Sequence, residues 1–163
     1  MGLVGNKKEE RILVVDNDKQ FADMLVEHLL NLGYWAKAAY TGREGIDRFK
    51  KGAFQVVITE LKMPDVDGMD LLEVVKHWDK RAEVILITGY GAIESAVKAI
   101  KKGACDFIAK PVKMEDMDVI IERALDKYAR SKQLGLFRGV VLMLIISIPF
   151  WLIAWIAVVL LWK

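Results

Sequence analysis

A small set of polar residues stands at the ends of apolar runs. Asp16, Asn17 and Asp18 follow the run Ile12 to Val15, and Glu60 follows the run ending at Thr59. Lys62 comes two positions later, Thr88 ends the run VILIT, and Lys110 follows Asp106 to Ala109. Carboxylates serve as nucleophiles or as ligands for a hard cation. A lysine supplies a compact positive charge for an anionic oxygen, and a threonine hydroxyl donates or accepts a hydrogen bond. Singly, each has a plainer reading. Asp16 to Asp18 could cap the next helix, and Lys110 could be a surface lysine. Their shared position at the ends of separate runs is far more specific.

The elements that must position them alternate in type. Ile12 to Val15 is all apolar, as expected of a strand buried on both faces of a parallel sheet. Asp18 to Leu32 has helical spacing, with Phe21, Leu25, Leu29 and Leu32 on one face, and Gly33 marks its stop. The pattern then predicts a strand over 34–39, a helix over 42–50, a strand over 54–59 and a helix over 68–78. A strand over 84–88, a helix over 93–102, a strand over 106–109 and a helix over 114–130 complete it. Five strands alternating with five helices imply right-handed crossovers and a doubly wound parallel α/β sheet. In such sheets ligands bind at the carboxyl ends of the strands, so the polar set converges on one pocket.

Composition narrows the function classes. Lys and Arg number 24 and Asp and Glu 22, for a net charge of +2, which gives no sign of a nucleic-acid binder. The single cysteine, Cys105, rules out an internal disulfide. His28 and His77 have no ligand-spaced partner, and no glycine-rich phosphate loop or nucleophile–histidine pair is present. The chain therefore reads as something other than an enzyme.

Four segments, ILVVDND at 12–18, VVITELKMPDVDG at 56–68, ILITGYG at 85–91 and FIAKP at 107–111, resemble the receiver domain of two-component response regulators. The resemblance covers about residues 10–130. It implies a flavodoxin-like fold with strand order 2-1-3-4-5. In that family an aspartate at the end of the third strand accepts a phosphoryl group from a partner histidine kinase. An acidic pair after the first strand helps to hold Mg2+, a lysine pairs with the phosphate, and a hydroxyl and an aromatic ring change position. The resemblance places Asp16 at the first acidic position, Thr88 at the hydroxyl, Phe107 at the aromatic and Lys110 at the lysine.

Three positions depart from that pattern. Glu60 stands at the phosphoacceptor, Asn17 at the second acid, and Lys62 at a position whose backbone carbonyl normally binds the metal. Losing an anionic ligand weakens a hard-oxygen site, so Asp16 and Glu60 are expected to hold Mg2+ weakly or not at all. Lys62 either places its ammonium where the metal would sit or points to solvent. Glu60 carries one methylene more than aspartate, and a displacement near 1 Å is already costly to a positioned reaction. The expectation is a phosphorylation-independent receiver in which Glu60, paired with Lys110, stands in for aspartate or phosphoaspartate. The alternative is a conventional Mg2+-dependent receiver using another acceptor, such as Asp65. No cofactor is required on the first reading.

The C-terminal end is different in kind. Gly139 to Trp162 contains no charged residue, and a membrane-spanning helix needs about 20 predominantly apolar residues. Lys127, Arg130, Lys132 and Arg138 precede it, favouring a cytoplasmic N-terminal flank. The expected organisation is a polar tail over 1–10, a receiver domain over 11–130, a short joint over 131–138 and a single transmembrane helix over 139–162. The output expected is a protein contact through the 93–130 face, as a homodimer or with a histidine kinase or another membrane protein.

Overall fold

The computed structural model describes residues 9–51, 54–89 and 93–131, together with Met143. The tail before residue 9, the joint after residue 131 and, except for Met143, the apolar stretch 139–162 lie outside the described residues. Among the described residues, no helix is long and apolar enough to cross a membrane. A division of the chain falls after Tyr128, and the unit Met1–Tyr128 contains the sheet.

The strands are β1 (Arg11–Val15), β2 (Trp35–Ala39), β3 (Val56–Glu60), β4 (Glu83–Thr88) and β5 (Asp106–Ala109). They form one sheet in the order β2-β1-β3-β4-β5, and every neighbouring pair is parallel. The helices between them are α1 (Lys19–Asn31), α2 (Gly42–Lys51), α3 (Gly68–Trp78) and α4 (Ile93–Lys101). A fifth, α5, runs over residues 114–131. The expected fold and strand order are therefore present.

Alternation along each central strand explains why their sequences are continuously apolar. Leu13 and Val15 of β1, Val57 of β3 and Val84 and Leu86 of β4 enter one core cluster, with Leu71, Leu72 and Val75 of α3. Ile12 and Val14, Val56 and Ile58, and Ile85 and Ile87 enter the other, with Leu25 and Leu29 of α1 and Met117 and Ile121 of α5. Side chains two apart share a face, so a sheet covered by helices on both sides needs apolar residues at every position.

Several element boundaries differ from the sequence pattern by one or two residues, and three have a local reason. Tyr34 donates its backbone N–H to Leu29 O at 3.1 Å, so it closes the exit of α1 and β2 begins one residue later. Glu60 pairs with Ile87 in the β3–β4 ladder, which makes it the last residue of β3. Glu83 opens β4 although it is charged. Its carboxylate is buried and met by Lys127 Nζ at 2.9 Å and Lys76 Nζ at 3.6 Å.

Candidate functional site

Strand order reverses at β1: the chain leaves it for β2 on one side and returns to β3 on the other. A crevice opens at such a switch point, beyond the carboxyl ends of the two strands. Asp16 and Glu60 stand there, 2% and 7% exposed. The Asp16 backbone N–H donates to Ala39 O at 3.0 Å, which continues the β1–β2 ladder and fixes its position.

Lys110 joins the two carboxylates. Its Nζ donates to Asp16 Oδ2 at 2.6 Å and lies 3.1 Å from Glu60 Oε2. Its backbone N–H donates to Thr88 O at 2.8 Å, so the end of β5 is registered against the end of β4. The Lys110–Pro111 peptide bond is cis. The remaining oxygens are also occupied. Asp16 Oδ1 accepts from Asp18 N at 2.8 Å, and Glu60 Oε1 accepts from Leu61 N at 2.8 Å and Lys62 N at 3.2 Å. Lys110 Nζ also lies 4.2 Å from the centroid of the Phe21 ring, a cation–π contact.

Burial pushes the Asp16 carboxyl above its ordinary value, and this outweighs the opposing bond from Lys110. Burial works against the charged form of Lys110, but the hydrogen bonds to Asp16 and Glu60 outweigh it and raise its pKa. The lysine is thus held as an ammonium between two acids, and two carboxylates against one ammonium leave one net negative charge.

The predicted residues separate into two groups. Asp16, Glu60 and Lys110 come together, and the fully buried Thr88 lies at the adjoining strand end. Asn17 and Lys62 are both exposed. Phe107, half-buried in the middle of β5, packs against the α3-side core. The plainer reading of the first acidic cluster holds for one member: Asp18 caps α1, accepting from Phe21 N at 3.2 Å.

Two contributors escaped the sequence. Phe21 was legible as part of the inward face of α1, but its ring beneath Lys110 was not. Gly68 packs so closely that a Cβ there would lie 2.4 Å from Glu60 O. The glycine lets the start of α3, capped by Asp67, press against the strand end that carries Glu60.

Mg2+ favours several oxygen ligands in near-octahedral geometry. Here both oxygens of Asp16 and both of Glu60 already accept hydrogen bonds or face the ammonium, and Asn17 brings no charge. Among the described residues, no group of three or more Asp, Glu, His or Cys is placed to hold a metal ion. These donors do not fit a divalent cation.

Asp65 is committed elsewhere. Its Oδ1 accepts from Gly42 N at 3.0 Å and its Oδ2 from Arg43 N at 2.9 Å, satisfying the first N–H groups of α2. The Arg43 N–H, with those of Val66 and Gly42, lowers the Asp65 carboxyl to about 2.

Comparison with known proteins agrees with the geometry. Residues 12–122 match the response regulator receiver domain family, and the chain belongs to that family. It is 32% identical over 124 residues to the regulatory protein AtoC of Escherichia coli, covering 76% of this chain and 27% of that protein. It is 30% identical over 119 residues to the regulatory protein LuxO of Vibrio vulnificus, covering 73% of this chain and 26% of that protein. The chain thus spans about a quarter of these relatives. A receiver domain from Clostridium thermocellum superposes with a TM-score of 0.70 at 32% identity, over 77% of this chain and 98% of that one. The beryllofluoride-activated NtrC4 receiver domain, solved as a dimer, superposes with a TM-score of 0.69 at 37% identity, over 72% and 98%.

Proposed function

We propose that this chain is a membrane-tethered, phosphorylation-independent receiver, a protein-interaction module in which Glu60 stands in for the phosphoacceptor. The observation that carries the reading is the bridge from Lys110 Nζ to both Asp16 Oδ2 and Glu60 Oε2. The lysine that the family uses to meet a phosphoryl group is already neutralised by a side chain of the protein itself. The Glu60 carboxylate is further held by two backbone N–H groups, so it is fixed rather than free to attack.

An interaction face is supported by apolar residues that the fold leaves in solvent. Ile93, Val97 and Ile100 of α4 are 83%, 48% and 50% exposed, and Val119 of α5 is 56% exposed. These residues belong to the 93–130 face expected to meet a protein partner or a second copy. The apolar stretch 139–162 supplies the tether and places the receiver on the cytoplasmic side.

The alternative, a conventional receiver using Asp65, is opposed by the two backbone N–H groups that hold that carboxylate against α2. The test is a spectroscopic titration of the full chain in detergent with beryllofluoride and Mg2+. The natural sequence should show no change at Thr88 or Phe107, whereas Glu60→Asp/Asn17→Asp should respond at both. A response by the natural sequence equal to that of the variant would overturn the proposal.

A further inference from the structure

The edge of the sheet opposite the candidate site carries a row of aromatic rings, three of them with a cation over the ring. All five strands are parallel, so their amino ends share one edge, and the intervening helices end there. Trp35, the first residue of β2, has Arg11 at 5.0 Å on one side and Lys37 at 4.8 Å on the other. Its ring lies 5.7 Å from Phe54, just before β3. Lys50, near the end of α2, lies 5.0 Å from Trp78, the last residue of α3, which is 58% exposed. Arg81, before β4, lies 5.6 Å from Tyr128 near the end of α5, with its guanidinium paired to Asp79 at 3.0 Å. Arg11, Lys37, Lys50 and Arg81 are exposed.

We propose that this edge is a docking surface for the anionic lipid headgroups of the membrane. The inference rests on the reading of 139–162 as an anchor, and two observations favour lipid over another partner. The chain leaves the sheet-bearing unit after Tyr128, at this edge, and only a short joint precedes the apolar stretch. The chemistry also fits, because tryptophan prefers the interface between hydrocarbon and water, and lysine and arginine are attracted to anionic headgroups. Strands of this length separate this edge from the Asp16–Glu60–Lys110 crevice by roughly 15–20 Å.

The experiment uses the full chain with vesicles of phosphatidylcholine alone or mixed with phosphatidylserine. Flotation reports attachment, and a paramagnetic headgroup reports which amides approach the lipid. The expected result is salt-resistant flotation with both lipids. Relaxation at Trp35 and Trp78 should exceed that at Gly89 several-fold when phosphatidylserine is present. Lys37→Gln/Lys50→Gln should still float but lose that excess, each charge being worth about fivefold. Salt-resistant flotation with uniform relaxation would overturn the surface and leave the anchor standing. Flotation on phosphatidylserine alone, released by salt, would support the surface and remove the anchor. Flotation on neither would remove both. Displacement of Trp35 and Trp78 from the lipid by short single-stranded DNA would assign the surface to nucleic acid and overturn the proposal.

Discussion

Lys110 Nζ lies 3.1 Å from Glu60 Oε2 while donating to Asp16 Oδ2 at 2.6 Å, so one ammonium holds together the ends of β1, β3 and β5. Removing one partner of a buried ion pair leaves an uncompensated charge, which costs more than the pair contributes. Lys110 is 21% exposed at its side chain, so part of that cost is screened. Lys110→Met is expected to destabilise the domain by roughly 1–3 kcal/mol in urea unfolding. Adding Glu60→Gln should recover part of the loss, because a neutral amide no longer needs the cation. Strict additivity of the two substitutions would show that they do not interact.

Lys110 and, separately, Asp65 set a pH dependence with opposite signs at the two extremes. Lys110 has a raised pKa when folded, so its contribution is complete below 10.5 and is lost as pH rises through the higher folded value. Asp65 is lowered from 3.8 to about 2, so its contribution is present above 3.8 and is lost as pH falls through about 2. Difference stability curves should show the alkaline loss reduced in Lys110→Met and the acid loss reduced in Asp65→Asn. Curves parallel to the natural sequence over these windows would contradict the assignments.

Gly68 offers a test that leaves the charges untouched. A Cβ at this position would meet Glu60 O at 2.4 Å, and backbone cannot yield as a flexible side chain would. Gly68→Ala is expected to cost about 1–3 kcal/mol through overpacking. Amide shifts should be concentrated at Glu60, Leu61 and the start of α3. An unperturbed Glu60 amide would show that the helix does not press on the strand end.

The elements and the crevice were legible because their signals are periodic or terminal. Apolar runs such as VVIT and VILI fit a strand covered on both faces, and the polar residues that follow them must lie at one edge of a parallel sheet. What escaped depends on contacts distant in sequence. Nothing local says that Asp18 turns to cap α1 while Asp16 turns to Lys110, 94 positions away. The apolar pattern starts this strand at Val84, one residue after Glu83. Lys127 and Lys76, from helices on opposite faces of the sheet, make Glu83 tolerable there. Asp65, a candidate acceptor by type, is taken up by the N–H groups of α2.

The central claim is that Glu60 closes the site to phosphoryl transfer, and intact mass tests it most directly. The chain would be incubated with Mg2+ and a small acyl-phosphate donor, with Glu60→Asp/Asn17→Asp as the control. The account predicts a phosphoryl adduct on the control and none on the natural sequence. An adduct on the natural chain, on Glu60 or any other side chain, would contradict it.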